Sequence, residues 1–202
     1  MRIEKIGGQN YKLPGLLTEF QKQLYVNLIN WKWKYITTEP GYKIHKGQIL
    51  EYDAILPDSV ISQFPTIYPS VLNDLKQHYS IPEYSFRMHV HFNHMASSQA
   101  TNINLFLPIL LNPNANQILK NIKSDFKSLA VEQFYKGFRI EYWDSPFGNL
   151  NDKTDVSGTD SDIAIAYYND KDELCLWLIE HKLTEKEFTQ CGGFSSKGKQ
   201  SN

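Results

Sequence analysis

The sequence predicts an α/β fold. Three observations carry that expectation: several segments with apolar residues at helical spacing, strand-like alternation around Glu141, and a late hairpin between Gly158 and Lys182. At 202 residues, the chain suits one domain with a sizeable core and room for an appended helical arm.

The first expected helix runs from Gly15 to about Tyr35, with Leu16, Phe20, Leu24, Val26, Leu28 and Ile29 at helical spacing, until Pro40-Gly41 breaks it. Near its end, Trp31-Lys32-Trp33-Lys34 alternates aromatic and cationic residues. Such alternation could stack on and clamp a nucleic-acid strand. The plainer expectation is two buried indoles beside solvated lysines. Residues 41–92 are less decipherable. A second helix is expected over Ile67–Tyr79, started by Tyr68-Pro69-Ser70, with Leu72, Leu75 and Tyr79 on one face. Phe86 to Phe92 reads as a strand. It leads into His89, His91 and His94, whose spacing could ligate zinc, because residues i and i+2 of a strand share a face. No supporting cysteine or carboxylate stands nearby in the sequence, so a structural or hydrogen-bonding role is expected instead.

Gln99 to Leu111 is the third helix, with Ser97 or Ser98 as N-cap. Pro108 should kink or shift it, and Asn112-Pro113-Asn114 should end it. A fourth helix is expected from Ala115 to about Phe126, with Ile118, Leu119 and Ile122 inward. Leu129 to Trp143 alternates as one long strand bent at Gly137. Glu141 lies on it, with Ile140 and Tyr142 facing the other way. Ser145 to Ser157 is a polar loop.

The hairpin then pairs a strand at Asp162–Tyr168 with a second running from Leu174 to Lys182, across the polar turn Asn169–Glu173. A turn centred on Lys171 sets Asp162 opposite Glu180 and Asp160 opposite Lys182. Facing residues lie roughly 4.5–5.5 Å apart at Cβ, and period two puts Glu180 and Lys182 on one face. Two carboxylates that close repel unless a cation lies between them, and a hard, oxygen-liganded ion such as Mg²⁺ is the simplest to propose. The bland alternative is a solvated hairpin end on which Lys182 offsets the acids.

The run Gly158-Thr159-Asp160-Ser161-Asp162, an apolar strand, a turn and Glu180-His181-Lys182-Leu183-Thr184-Glu185 resembles the PD-(D/E)XK nuclease superfamily. More narrowly, the chain resembles a bacterial group of restriction-endonuclease-like proteins. That group also carries Ser-Ser-Gln-Ala followed by Asn-Leu-Phe and a proline, here Ser97–Ala100 and Asn104-Leu105-Phe106-Leu107-Pro108. The resemblance spans roughly residues 93–191. It implies a mixed sheet flanked by helices over residues 91–202, preceded by a helical or irregular extension over residues 1–90. It implies a Mg²⁺-dependent deoxyribonuclease, with Mn²⁺ as the alternative metal. Asp162, Glu180 and the main-chain carbonyl of His181 would be the ligands, and Glu141 a further carboxylate. Lys182 would orient or help deprotonate the attacking water and stabilise charge at phosphorus. Asp162 is preferred to Asp160 because it immediately precedes the apolar strand. Ser98 and Gln99 would contact substrate or cap the site, with packing an equal expectation. The side chain of His181 should point away, and Glu185 should lie at the surface.

One departure stands out. Only twenty residues follow Lys182, where the superfamily core normally continues with a helix and a strand, so the C-terminal part of the core is expected to be missing. The rival reading is therefore a non-catalytic module of the same fold that binds nucleic acid or a partner protein.

Composition sets the remaining bounds. The net charge is −1, so no global positive field advertises nucleic acid, and a DNA-acting protein would need a local basic patch. Cys175 and Cys191 make no disulfide framework. Cys175 is expected to be a small buried hydrophobe, and Cys191 could belong to a metal cluster completed elsewhere. No run of about eighteen apolar residues exists for a membrane span, and Met1-Arg2-Ile3-Glu4-Lys5 is no signal peptide. The expected setting is cytoplasmic, with DNA as partner, no membrane, and a homodimer left open.

Overall fold

The computed structural model describes residues 2–82, 86, 88–89, 91–142 and 161–183. Strands β1 (Arg2–Ile6) and β2 (Gln9–Leu13) form an antiparallel hairpin. Helix α1 (Glu19–Tyr35) opens on a capping box in which the Thr18 hydroxyl accepts the Gln21 N–H at 3.2 Å and the Gln21 amide oxygen accepts the Thr18 N–H at 3.0 Å. A second hairpin follows, β3 (Gly41–His45) with β4 (Gln48–Tyr52), turning through Lys46 and Gly47 at φ 50° and 76°. Two central residues of positive φ match the twist of paired strands. Neither hairpin was legible in the sequence, because β1, β3 and β4 are largely exposed and carry little apolar alternation.

The expected pattern at the end of α1 holds for Trp33, packed on the core and stacked on Tyr11, and for exposed Lys34, but is reversed at Trp31 and Lys32. Val26, Ile29 and Lys32, three residues apart, are its buried row, packed with Tyr11, Leu13 and Ala54, while Trp31 is 45% exposed and Leu16 and Phe20 lie at the surface. Lys32 tolerates this because its ammonium donates to the carbonyl of Asp53 at 2.9 Å and to that of Glu39. Burial still pushes its pKa down to about 8.

Helix α2 (Asp58–Ile61) is one turn. Helix α3 (Pro69–Ser80) starts where Tyr68-Pro69 predicts, but buries Val71, Leu75 and His78 and leaves Tyr79 exposed. Of the strand expected over 86–92, no described residue is extended in a sheet; His91–Asn93 is a turn and His94 makes an isolated bridge to Ile55. Backbone bonds from Leu56 to Asn93 and from Met95 to Ala54, at 2.9 and 2.8 Å, tie this segment to the residues following β4. Helix α4 (Ser98–Leu110) is capped by Ser97, whose hydroxyl accepts the Ala100 N–H at 3.2 Å, and it incorporates Pro108. Helix α5 (Ala115–Ile122) is shorter than expected, and Ile122 is exposed.

The long strand expected over 129–143 is two strands. Phe126 opens β5 (Phe126–Leu129), a 3₁₀ turn covers Tyr135–Gly137, and β6 (Phe138–Tyr142) follows. Gly137, at φ 83°, ends the connection; a Cβ there would lie 2.9 Å from Cβ of Leu129. Central strand β7 (Ser161–Asn169) pairs with β5 and β6 along one edge and with β8 (Leu174–Ile179) along the other. All pairings among the described residues are antiparallel, within the expected α/β class. The hairpin register is the expected one, from Tyr168–Leu174 to Ile163–Ile179. The Asn169 side-chain oxygen sets the turn by accepting the N–H groups of Lys171 and Glu173, both at 2.9 Å. Strand β8 stops at Ile179, short of the expected Lys182.

Helices α3, α4 and α5 cover one face of the sheet, where Val71, Leu75, Ile103, Leu107 and Leu119 meet Phe138, Ile140, Ile163, Ile165 and Tyr167. On the opposite face Ala164 and Ala166 pack with Ala130, Phe134 and Tyr142. Cys175 is partly buried against the first core. No described helix is long and apolar enough to cross a membrane. The loop 145–157, Asp160, Glu185 and Cys191 lie outside the described residues.

Candidate active site

Strand register assembles the acidic end of the sheet. The pairs Ile140–Ile163 and Tyr142–Ser161 bracket Glu141 opposite Asp162, and the pair Ile163–Ile179 brings Glu180 alongside Asp162 from the other edge. Three carboxylates thus occupy neighbouring positions on β6, on β7 and just after β8. Glu141 has φ 50°, a left-handed backbone that costs a non-glycine residue on the order of 1–3 kcal/mol. Regular alternation would put Ile140 and Tyr142 on one face. Instead, Ile140 joins the helix-covered core and Tyr142 the opposite one. The strand reverses its faces at Glu141, so the expectation of an ordinary extended residue there is corrected.

Asp162 is half-buried, and its Oδ2 accepts the His181 N–H at 2.6 Å. Burial raises its pKa, opposed by that N–H bond, with Glu180 adding to the rise and Lys182 and His181 offsetting it. Glu180 pairs with the ammonium of Lys182, so the two do share a side although β8 has ended. His181 engages Asp162 through its N–H; the residue also borders the cavity described next, rather than standing wholly apart from it.

These groups line one cavity of about 410 Å³. Glu141, Asp162, Glu180 and Lys182 border it from the sheet, Ser98 and Gln99 from the start of α4, and Tyr25 from α1. Gln99 is buried, and its side-chain oxygen accepts the His89 N–H at 3.0 Å, so its visible task is to hold the histidine segment. Ser98 begins α4 beside the Ser97 cap.

His89, His91 and His94 line the same cavity. Their rings follow one another with centroids 5.1 and 4.7 Å apart, and the His91 N–H donates to Nδ1 of His89 at 3.3 Å. Burial, with His91, Lys43 and His89 adding to it, pushes His94 down to about 4, and burial likewise lowers His91. Both are therefore neutral imidazoles at neutral pH. Sequence reasoning found no carboxylate for this trio, because Glu141, Asp162 and Glu180 are distant in the chain and reach it only through folding. The one available signal was that the histidines run directly into Ser97-Ser98-Gln99.

Among the described residues no three His, Cys, Asp or Glu side chains stand close enough together to hold a metal ion. The donor set nevertheless suits a hard cation in kind, since three carboxylates share one cavity. Ligation by Asp162 and Glu180 would exchange their present partners, the His181 N–H and the Lys182 ammonium.

Neither a curated protein nor a solved structure matches the chain. The family described as restriction endonuclease associating with ARP matches residues 32–202. That match reaches well upstream of the motifs, taking in the end of α1, the β3–β4 hairpin, the histidine segment and the whole sheet. With most of its length matched, the chain belongs to this restriction-endonuclease-like family.

Proposed function

We propose that this protein is a metal-dependent deoxyribonuclease of the PD-(D/E)XK type that hydrolyses phosphodiester bonds of DNA. The observation that carries the proposal is the row of Glu141, Asp162 and Glu180 across three neighbouring strand positions, with Lys182 beside them in one cavity. Asp162 and Glu180, with Glu141 and the His181 carbonyl as further oxygens, would hold Mg²⁺ or Mn²⁺. The ion, when bound, neutralises a phosphate oxygen and lowers the pKa of water near it. Asp162 Oδ2 accepts the N–H of His181, the residue next to Lys182, and would give up that bond on ligating the ion. Lys182 orients the attacking water and stabilises the negative charge that grows on the phosphorus oxygens. A compact ammonium suits that task better than a guanidinium. Ser98, at the mouth of α4, is placed to contact the substrate, while Gln99 acts by holding His89.

A second reading has its own support. Asp162 and Glu180 are both engaged by protein groups, and no metal-holding trio exists among the described residues. A non-catalytic module that binds nucleic acid would keep the cavity and lack turnover. The family's description also motivates a further proposal, association of this chain with an ARP protein.

Calorimetric titration with Mg²⁺ and Mn²⁺, run beside cleavage of plasmid DNA, separates the two. Saturable binding and metal-stimulated nicking, both lost in an Asp162→Ala, Glu180→Ala double variant, are expected. A folded protein that binds DNA but takes up no metal and cuts nothing would favour the second reading.

A further inference from the structure

A second, larger cavity of about 880 Å³ lies between the end of α1, the segment leading into α3, and the middle of α4. Its aromatic lining is open to solvent: Trp31, Tyr35 and Tyr68 are 45%, 59% and 58% exposed. The rings of Trp31 and Tyr35 lie 5.4 Å apart, tilted at 45°. Two exposed lysines sit over rings of the same lining, Lys34 with its ammonium 4.8 Å from the Tyr35 centroid and Lys76 5.9 Å from that of Phe64. No carboxylate is among the lining residues. The wall is also pre-set. Phe64 adopts φ 51°, an uncommon conformation for a bulky residue. Asn104 braces the next turn, donating to the Thr66 carbonyl and accepting the Tyr68 N–H, both at 2.7 Å.

We propose that this cleft binds single-stranded nucleic acid, stacking bases on Trp31, Tyr35 and Tyr68 while Lys34 and Lys76 meet the phosphates. Aromatic faces beside ammonium groups suit a stacked base and its anionic backbone. The two ammonium groups beside the rings favour an anionic strand over an apolar partner protein, which would gain nothing from those charges. Placement of the cleft adds to the case. Helix α1 gives Tyr25 to the carboxylate cavity and Trp31 to the cleft, and α4 gives Gln99 to the first and Asn104 to the second. At 1.5 Å per residue the offsets along the two helix axes are about 9 Å and about 8 Å. On the nuclease reading the cleft would hold bases of the same strand whose bond is cut; the binding itself does not depend on that reading.

Equilibrium binding of fluorescein-labelled oligo-dT, measured by anisotropy on the full chain in EDTA, tests this without requiring cleavage. Trp31→Ala and Tyr35→Ala should each weaken binding roughly tenfold, and Trp31→Phe should keep most of the affinity. Lys34→Glu should weaken binding and flatten its salt dependence. Tyr68→Ala, on a different element, reads the same cleft should an α1 variant fail to fold. Unchanged oligonucleotide affinity in folded Trp31→Ala and Tyr68→Ala proteins would overturn the proposal. So would a self-association that these variants abolish while oligonucleotide binding persists, which would give the cleft to a second copy. If the wild type binds no metal and cuts no DNA yet shows this ring-dependent binding, the nuclease reading falls and the cleft stands.

Discussion

Two regions of this molecule withdraw a charged side chain from water, and they treat it in opposite ways. In the N-terminal part, Lys32 is fully buried and its ammonium is held by two main-chain carbonyls, of Asp53 and Glu39. Asp53 is itself fixed, accepting the Lys12 N–H at 2.6 Å through its side chain. The charge joins α1 to the segments that follow it. At the end of β7, Asp162 is only half-buried and borders an open cavity with Glu141, Glu180 and Lys182. One enclosed charge satisfied by backbone makes a structural pin. A partly satisfied charge, set among others beside open space, is the arrangement that suits a reactive site.

Neutralising each group separates a structural pin from a reactive site. Asp162→Asn can still accept the His181 N–H, and it removes a carboxylate whose ionisation burial opposes. Metal-stimulated cleavage should fall by about a thousandfold or more, while stability near neutral pH should equal or exceed that of the wild type. A variant that unfolds would make Asp162 a pin like Lys32.

Lys32→Met should do the reverse. It leaves two buried carbonyls without their donor and is expected to cost about 3 kcal/mol in urea unfolding, with residual activity tracking the folded fraction. The wild type should also gain stability as pH rises from about 8 towards 10.5, because the unfolded lysine then holds a proton that the folded one has released. Lys32→Met should lack that rise.

His78 offers a third test, away from both regions. It is buried, stacked on Phe138 with centroids 4.8 Å apart, and lowered to about 4 by burial first and by Lys136 and Arg139 next. Unfolded histidine takes up its proton near 6.5, so between 6.5 and about 4 the unfolded state binds more protons. Stability should therefore drop as pH falls through that window, and His78→Phe should flatten the drop in acid-dependent melting.

The smallest expected effect on stability belongs to Lys182→Gln. The Glu180–Lys182 pair is partly exposed, so its loss should cost less than about 1 kcal/mol. Cleavage should nonetheless be lost. A large loss of stability instead would class this lysine with Lys32.

The hairpin of β7 and β8 was legible because its signals are local. An apolar run, a turn governed by Asn169 and strict period two fix both register and the facing of Asp162 and Glu180. The start of α4 was legible for the same reason, since Ser97 caps the helix it precedes. Three other readings failed where the deciding contact was remote. Lys32 is buried because carbonyls of Glu39 and Asp53 reach it. The strand expected through Gly137 is broken at a close approach to Leu129. The 91–94 segment turns because residues 54–56 bond to it rather than to a neighbouring strand.

The sequence by itself determined the capped start of α4, the hairpin register and the shared side of Glu180 and Lys182, since each depends on capping, turn or alternation signals within a short stretch. Tertiary structure decided which side of α1 is buried, where Glu141 stands relative to Asp162, and that three histidines share a cavity with the carboxylates. The physical reason is range: capping, turn chemistry and side-chain period act within a few residues. Burial and the meeting of charges depend on which distant surfaces pack together, and no local pattern encodes that.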